Sequence, residues 1–210
     1  RPTQAETQFM ATNLPNLLTF SRILVIPALV AAFYLEGVWS YWVPLGLFIT
    51  AGITDFLDGY VARAQNQTTN LGRFLDPIAD KLLIAAAIIM LVWLDRAPVL
   101  PAIVILCREI LVSGLREFLA ELRVDVPVSR LAKWKTAIQV TAIGFLLVGA
   151  AGPTLGHPDA TPDAVGAVLL WLAALITLIT GYGYCRMGLK HMMIEEPAPA
   201  DGKEPAKRSA

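Results

Sequence analysis

Cysteine and histidine are scarce in this chain, with two of each among 210 residues. Cys107 and Cys185 sit inside apolar runs without metal-ligand spacing. They read as small buried hydrophobes, and no disulfide is expected. His157 and His191 lie far in sequence from the acidic cluster described below, so an imidazole- or thiolate-based zinc site is not expected there. Excess charge is also lacking: 17 Lys and Arg balance 17 Asp and Glu, and no nucleic-acid partner is expected. There is no internal repeat. A cleavable signal-peptide pattern is missing too, because the first apolar run opens with polar Asn13 and Asn16 and no small-residue cleavage site follows a short core. The first residue is Arg1 rather than Met, which points to a trimmed start.

Apolar residues, in contrast, make up 56% of the chain, and the mean hydropathy is +0.58. Six apolar segments near 16–35, 41–62, 72–94, 98–120, 133–151 and 163–186 each reach the length that crosses a bilayer. The breaks fall at Glu36-Gly37, the polar stretch 64–70, Leu94-Asp95-Arg96, 121–130 and Gly152–Asp163. The expected fold is all-α: a polytopic membrane protein of six transmembrane helices. A polar segment at 1–12 precedes a single helical domain at 13–190, and a cytoplasmic tail covers 191–210. Pro, Ala and charge dominate that tail from Glu195 to Ala210, and it reads as disordered.

Basic residues give the orientation. Of the 17, Arg96 alone falls on the side holding the 36–40, 95–97 and 152–162 loops. The rest lie on or toward the side of both termini and the 63–71 and 121–132 loops. The positive-inside rule puts that side, with both termini, in the cytoplasm. Arg123, Arg130, Lys203, Lys207 and Arg208 read as solvated charge near anionic lipid. Trp39, Trp42 and Trp93 lie near span ends and read as interfacial anchors.

Four carboxylates interrupt this apolar background. Asp55 and Asp58 fall near the end of the second span, Asp76 and Asp80 near the start of the third. Residues three or four apart on a helix are neighbours on one face. The polar turn Ala64–Leu71 makes the two spans an antiparallel hairpin, so the pairs can face each other. Carboxylates gathered this way repel unless cations are present. An oxygen-only donor set favours hard divalent ions, Mg²⁺ or Mn²⁺. Gly59, Ala62 and Gly72 leave space for close approach of a ligand, and Arg63 can pair with a phosphate. Pro77 falls early in the third helix, where its missing N–H costs least. An acidic hairpin held by salt bridges, or a cation-transport site, are the other readings of intramembrane acid.

The string D-x2-D-G-x2-A-R-x8-G-x3-D-x3-D is matched at every defined position, from Asp55 to Asp80. It resembles the signature of the CDP-alcohol phosphatidyltransferases, a six-helical membrane family. The resemblance implies two divalent ions, held by Asp55, Asp58, Asp76 and Asp80, with Asp80 also acting as general base. It implies that Gly59, Ala62, Arg63 and Gly72 line the site of a CDP-linked lipid, and that the protein is a homodimer in a bacterial inner membrane.

Two basic sets bear on the acceptor alcohol. Arg108 and Arg116 are eight residues apart on the fourth span, about 12 Å along one face. Lys133 and Lys135 open the fifth. Glu109 and Glu117 are adjacent to the arginines and could serve as structural partners for neighbouring helices. The functional reading is a phosphate pocket for an anionic acceptor such as glycerol 3-phosphate. The segments Leu14–Arg22, Arg108–Glu117 and Lys133–Gln139 resemble the bacterial phosphatidylglycerophosphate-forming members of the family, which implies Thr19 and Arg22 near the site. Expected acceptor-phosphate residues are Arg108, Arg116 and Lys135, then Lys133 and Lys81, although Lys81 could instead only balance aspartate charge. Expected partners are CDP-diacylglycerol, glycerol 3-phosphate and membrane lipid. Phosphatidylglycerol or inositol phosphate as acceptor, and a divalent-cation transporter or silent membrane scaffold, remain open.

Overall fold

The computed structural model describes residues 14–65, 70–121, 130–149 and 162–192. They form six helices: α1 (Leu14–Ala32), α2 (Trp39–Gln65), α3 (Asn70–Trp93), α4 (Val99–Glu121), α5 (Arg130–Val148) and α6 (Pro162–Met192). No strand occurs among the described residues. The polar segment 1–12, residues 66–69 of the expected 64–71 turn, Arg123, His157 and the tail from 193, with Lys203, Lys207 and Arg208, lie outside the described residues; the ends of that turn, 64–65 and 70–71, are helical.

Each expected span coincides with one helix. The edges differ most at α6, which continues to Met192, six residues past the apolar stretch. Hydropathy marks where the surroundings are apolar, whereas a helix continues wherever its backbone bonds do, here through Arg186 and Lys190. Two of the helices are long and apolar enough to cross a membrane, over Leu131–Val148 and Pro162–Leu189. In such surroundings backbone and hydroxyl groups must be satisfied internally. Thr141 on α5 donates to the carbonyl four residues back, at 2.8 Å.

Two turns are tight. Gly37 takes φ of 65° between α1 and α2. At the end of α3, Asp95 takes φ of 56°, and the N–H groups of Arg96 and Ala97 both donate to Leu91 O, at 2.9 and 3.1 Å. That closure satisfies the last turn of α3.

Helix α1 packs on α2 and α3, α4 packs on α6, and α5 lies along α6 while also touching α2 and α3. Leu29, Ile88, Ile105, Ile143, Leu146 and Leu170 are fully buried where these helices meet. The outside is apolar as well: Leu24, Ile110, Trp134, Val168 and Ile179 are 66–75% exposed. So many bare hydrophobes suit a lipid surround rather than water. The cysteines follow this pattern and correct the sequence reading. Both are free, but Cys107 is exposed and Cys185 only half-buried, because an apolar run that faces lipid points part of its small residues outward.

Trp39, Trp42 and Trp93 are exposed at one end of the bundle, and the Trp93 ring lies 5.5 Å from that of Tyr34. At the same end, Arg96 stacks its guanidinium 4.6 Å over the Tyr41 ring.

The α5–α6 contact depends on Gly166. A Cβ added there would stand 2.7 Å from Leu146 Cγ and 3.0 Å from the Leu146 backbone nitrogen. Backbone cannot step aside as a side-chain tip can. Gly166→Ala is therefore expected to destabilise by about 1–3 kcal/mol. The check is the midpoint of unfolding in mixed micelles of SDS and mild detergent, which should fall; an unchanged midpoint would contradict this packing.

Candidate functional site

Three helices build a polar cavity of about 470 Å³. From α4 come Arg108, Glu109, Val112 and Arg116, a set spaced to share one helix face. The first turns of α5 supply Lys133, Lys135 and Thr136, and α6 supplies Tyr184. Four of the five basic residues expected at an acceptor phosphate thus line one space, with Glu109 as the single carboxylate among the lining residues; Lys81 is not among them.

The charges are not equivalent. Lys135 is buried, with its side chain 5% exposed, and it donates to Glu109 Oε1. Arg108 Nη1 donates to the same oxygen at 3.3 Å. Glu109 is therefore a structural partner, as one reading of the sequence has it, but of two cations on two helices. A buried lysine without this partner would be costly. Arg116 and Lys133 are exposed at the rim and retain their hydration. Gln139, one turn beyond Lys135, is 1% exposed, and its Oε1 has no hydrogen-bond partner.

The acidic residues lie on the neighbouring helices. Asp55 and Asp58 are on the second half of α2, Asp76 and Asp80 on the first half of α3. Helical backbone at all four keeps each pair on one face of its helix. Asp80 is half-buried. The side chains of Asp55, Asp58, Gly59, Ala62, Arg63, Gly72 and Asp76 lie outside the described residues, as do those of Thr19 and Arg22 on α1. Among the described residues there is no cluster of three metal-binding side chains. Four carboxylates carried on regular helix would suit hard divalent ions rather than zinc.

One bond joins the two regions. Lys81, the neighbour of Asp80 on α3, donates to Ser113 Oγ on α4. Ser113 follows the cavity residue Val112 and lies between Arg108 and Arg116 in sequence. The middle of α3, beside Asp80, is thus tied to the stretch of α4 that carries Arg108 and Arg116.

Sequence reasoning missed three contributors: Tyr184 in the cavity wall, Thr180, which accepts from Arg108 Nη2 at 3.1 Å, and buried Gln139. The available signal is polar side chains four apart inside an apolar run, at 180 and 184 and at 135 and 139.

A family profile described as CDP-alcohol phosphatidyltransferase matches residues 12–179. The chain is similar to a protein of Rickettsia felis named CDP-diacylglycerol–glycerol-3-phosphate 3-phosphatidyltransferase, with 49% identity over 85% of this chain and 97% of that one. Proteins of the same name from Haemophilus influenzae and Cereibacter sphaeroides are 40% and 35% identical, over 80% and 89% of this chain. Those alignments cover 89% and 100% of the two relatives.

Glu109→Leu should cost about 3–5 kcal/mol, because it strands Lys135 as a buried cation. Adding Lys135→Met should recover much of that loss. Unfolding midpoints in SDS mixed micelles would show both, and a double variant as unstable as the two single losses summed would rule out the ion-pair account.

Proposed function

The chain belongs to the CDP-alcohol phosphatidyltransferase family, and from that premise we propose that it transfers the phosphatidyl group of CDP-diacylglycerol to glycerol 3-phosphate, giving phosphatidylglycerophosphate and CMP. The observation that carries the acceptor is the cavity at α4, α5 and α6, where Arg108, Arg116, Lys133 and Lys135 come together. Four cations around one carboxylate suit a phosphate dianion, and guanidinium forks match its oxygens. The names of the relatives point the same way.

In this reading Asp55, Asp58, Asp76 and Asp80 hold two Mg²⁺ or Mn²⁺ ions, which when bound would neutralise charge on the pyrophosphate. Gly59, Ala62 and Gly72 leave room for the CDP moiety, and Arg63 pairs with its phosphate. Thr19 and Arg22 of α1 stand beside the same site. The glycerol 3-phosphate anion docks on Arg108, Arg116 and Lys135, with Lys133 at the rim, and its terminal hydroxyl, at the end opposite the phosphate, points toward α3. Asp80 takes the hydroxyl proton. The oxygen attacks the phosphorus that bears diacylglycerol, forming the new P–O bond. The pyrophosphate P–O bond on the other side breaks, and CMP leaves with that bridging oxygen. Asp80 then returns its proton to water.

The setting follows from the same premise. All six helices cross the membrane, with both termini and the active site in the cytoplasm, as the basic-residue bias requires. Lipid tails then stay in hydrocarbon while the head group reaches the helix ends. A bacterial inner membrane and a homodimer are inferred from the family resemblance.

Release of CMP from CDP-diacylglycerol, with one acceptor supplied at a time, tests the reading. It should require glycerol 3-phosphate. Arg108→Ala and Arg116→Ala should each raise KM for glycerol 3-phosphate at least tenfold, about 1.4 kcal/mol or more, and leave KM for the CDP-lipid nearly unchanged. Unaltered acceptor KM values in both variants would refute the phosphate assignment. Asp80→Asn should lower kcat at least a hundredfold, with CDP-lipid still bound in a filtration assay; retained turnover would remove Asp80 from the base role.

A further inference from the structure

Arg108 belongs to α4, yet much of what holds its side chain comes from α6. Thr180 Oγ1 accepts from Nη2 at 3.1 Å. The Tyr184 ring centroid lies 5.8 Å from Cζ, with the guanidinium over its face. Between them, Gly181 supplies only backbone: a Cβ there would stand 3.1 Å from Arg108 Cγ and 3.6 Å from Nε. Positions 180, 181 and 184 share one face of α6.

The chemistry of these contacts sets them apart from an ordinary ion pair. The Thr180 hydroxyl is within donating distance of the Ile176 and Thr177 carbonyls, at 2.9 and 3.1 Å. With its proton committed there, its lone pairs are left to accept from Arg108. A hydroxyl and a ring face satisfy a desolvated guanidinium without cancelling its charge. Glu109 could have cancelled it, but reaches Arg108 through a single contact of 3.3 Å, and the same oxygen also takes Lys135. A two-oxygen, two-nitrogen fork is absent. Of five N–H donors on a guanidinium, one goes to Glu109, one to Thr180, and Nε is buried with no acceptor. One N–H on each terminal nitrogen remains, on a residue that lines the cavity.

We propose that Thr180, Gly181 and Tyr184 form a neutral seat that fixes the Arg108 guanidinium, and so act as positioning residues for recognition of the acceptor's phosphate. This rests on the reading of the cavity as the glycerol 3-phosphate site. The seat leaves Arg108 ordered but uncompensated, ready for two phosphate oxygens. Without it, the side chain would turn onto Glu109 and its charge would be spent inside the protein.

Steady-state CMP release by the full chain in detergent, with glycerol 3-phosphate and CDP-diacylglycerol varied separately, decides the matter. Thr180→Val and Tyr184→Leu should each raise KM for glycerol 3-phosphate about tenfold, or about 1.4 kcal/mol. KM for the CDP-lipid should move less than about twofold, since the loss of one hydrogen bond or ring contact is confined to Arg108. Tyr184→Phe, which keeps the ring, should rescue the leucine variant's defect, and Thr180→Ser that of valine. In an Arg108→Ala background, Thr180→Val should add nothing. If Thr180→Val does not fold, the Tyr184 pair carries the same test. A large effect of Arg108→Ala with silent α6 variants, or an equal increment from Thr180→Val with Arg108 gone, would overturn the seat alone. Arg108→Ala with unchanged acceptor KM would overturn the phosphate reading and the seat with it.

Discussion

A charge buried in a bundle whose outside is apolar must find its partner within the protein, and the helices at the cavity are arranged around that requirement. Lys135 is the most deeply buried of the four cations at the cavity. Its tie to Glu109 crosses from α5 to α4, and Glu109 also touches Arg108. Removing Glu109 leaves two cations uncompensated in low dielectric, which costs far more than an intact pair contributes. The ion pair is thus less a source of net stability than a condition on geometry: the start of α5 and the middle of α4 must stay in register.

That register is fixed by apolar contacts. α5 lies along α6 closely enough that Gly166 has no room for a methyl group beside Leu146. Leu146, Leu147, Leu170 and Ala173 are fully buried at or near this contact. Because α4 packs on α6 as well, α6 becomes the common support for the two helices that carry the cations. Close packing in an apolar surround is achieved by shape and small residues rather than by expulsion of water. The polar side chains on α6 then fall where that packing puts them, Thr180 and Tyr184 against Arg108.

Most of the fold was legible in the sequence, because run length and loop polarity respond to a single variable, the change from lipid to water. All six segments are helices, and the breaks at 36–37 and 94–96 fall where expected. The convergence of Arg108, Arg116, Lys133 and Lys135 was legible for a related reason: basic residues inside or at the end of a span need a cause. The roles within that set were not. Glu109 and Glu117 read alike in sequence, but Glu109 faces α5 while Glu117 is exposed. Only helix rotation separates them. Tyr184 and Thr180 lie more than sixty residues from Arg108 in sequence, and no local pattern joins them. Cys107 was misjudged because burial in a soluble core and exposure to lipid leave the same apolar signature.

The cost of gathering cations also bears on which acceptor the cavity suits. Arg108 and Lys135 are withdrawn from water, and one carboxylate serves both. A neutral alcohol would leave that excess of positive charge uncompensated in the bound complex and would gain nothing from it. A phosphate brings the missing negative charge with it, so binding relieves an imbalance already present in the free protein. The Lys81–Ser113 bond ties α3, beside Asp80, to α4. An acceptor with phosphate at one end and hydroxyl at the other is the kind of molecule such a division of charge can orient, anion toward α4 and α5, nucleophile toward α3. In the proposed reaction, specificity for the acceptor and alignment of its attacking oxygen then arise from the same electrostatic asymmetry.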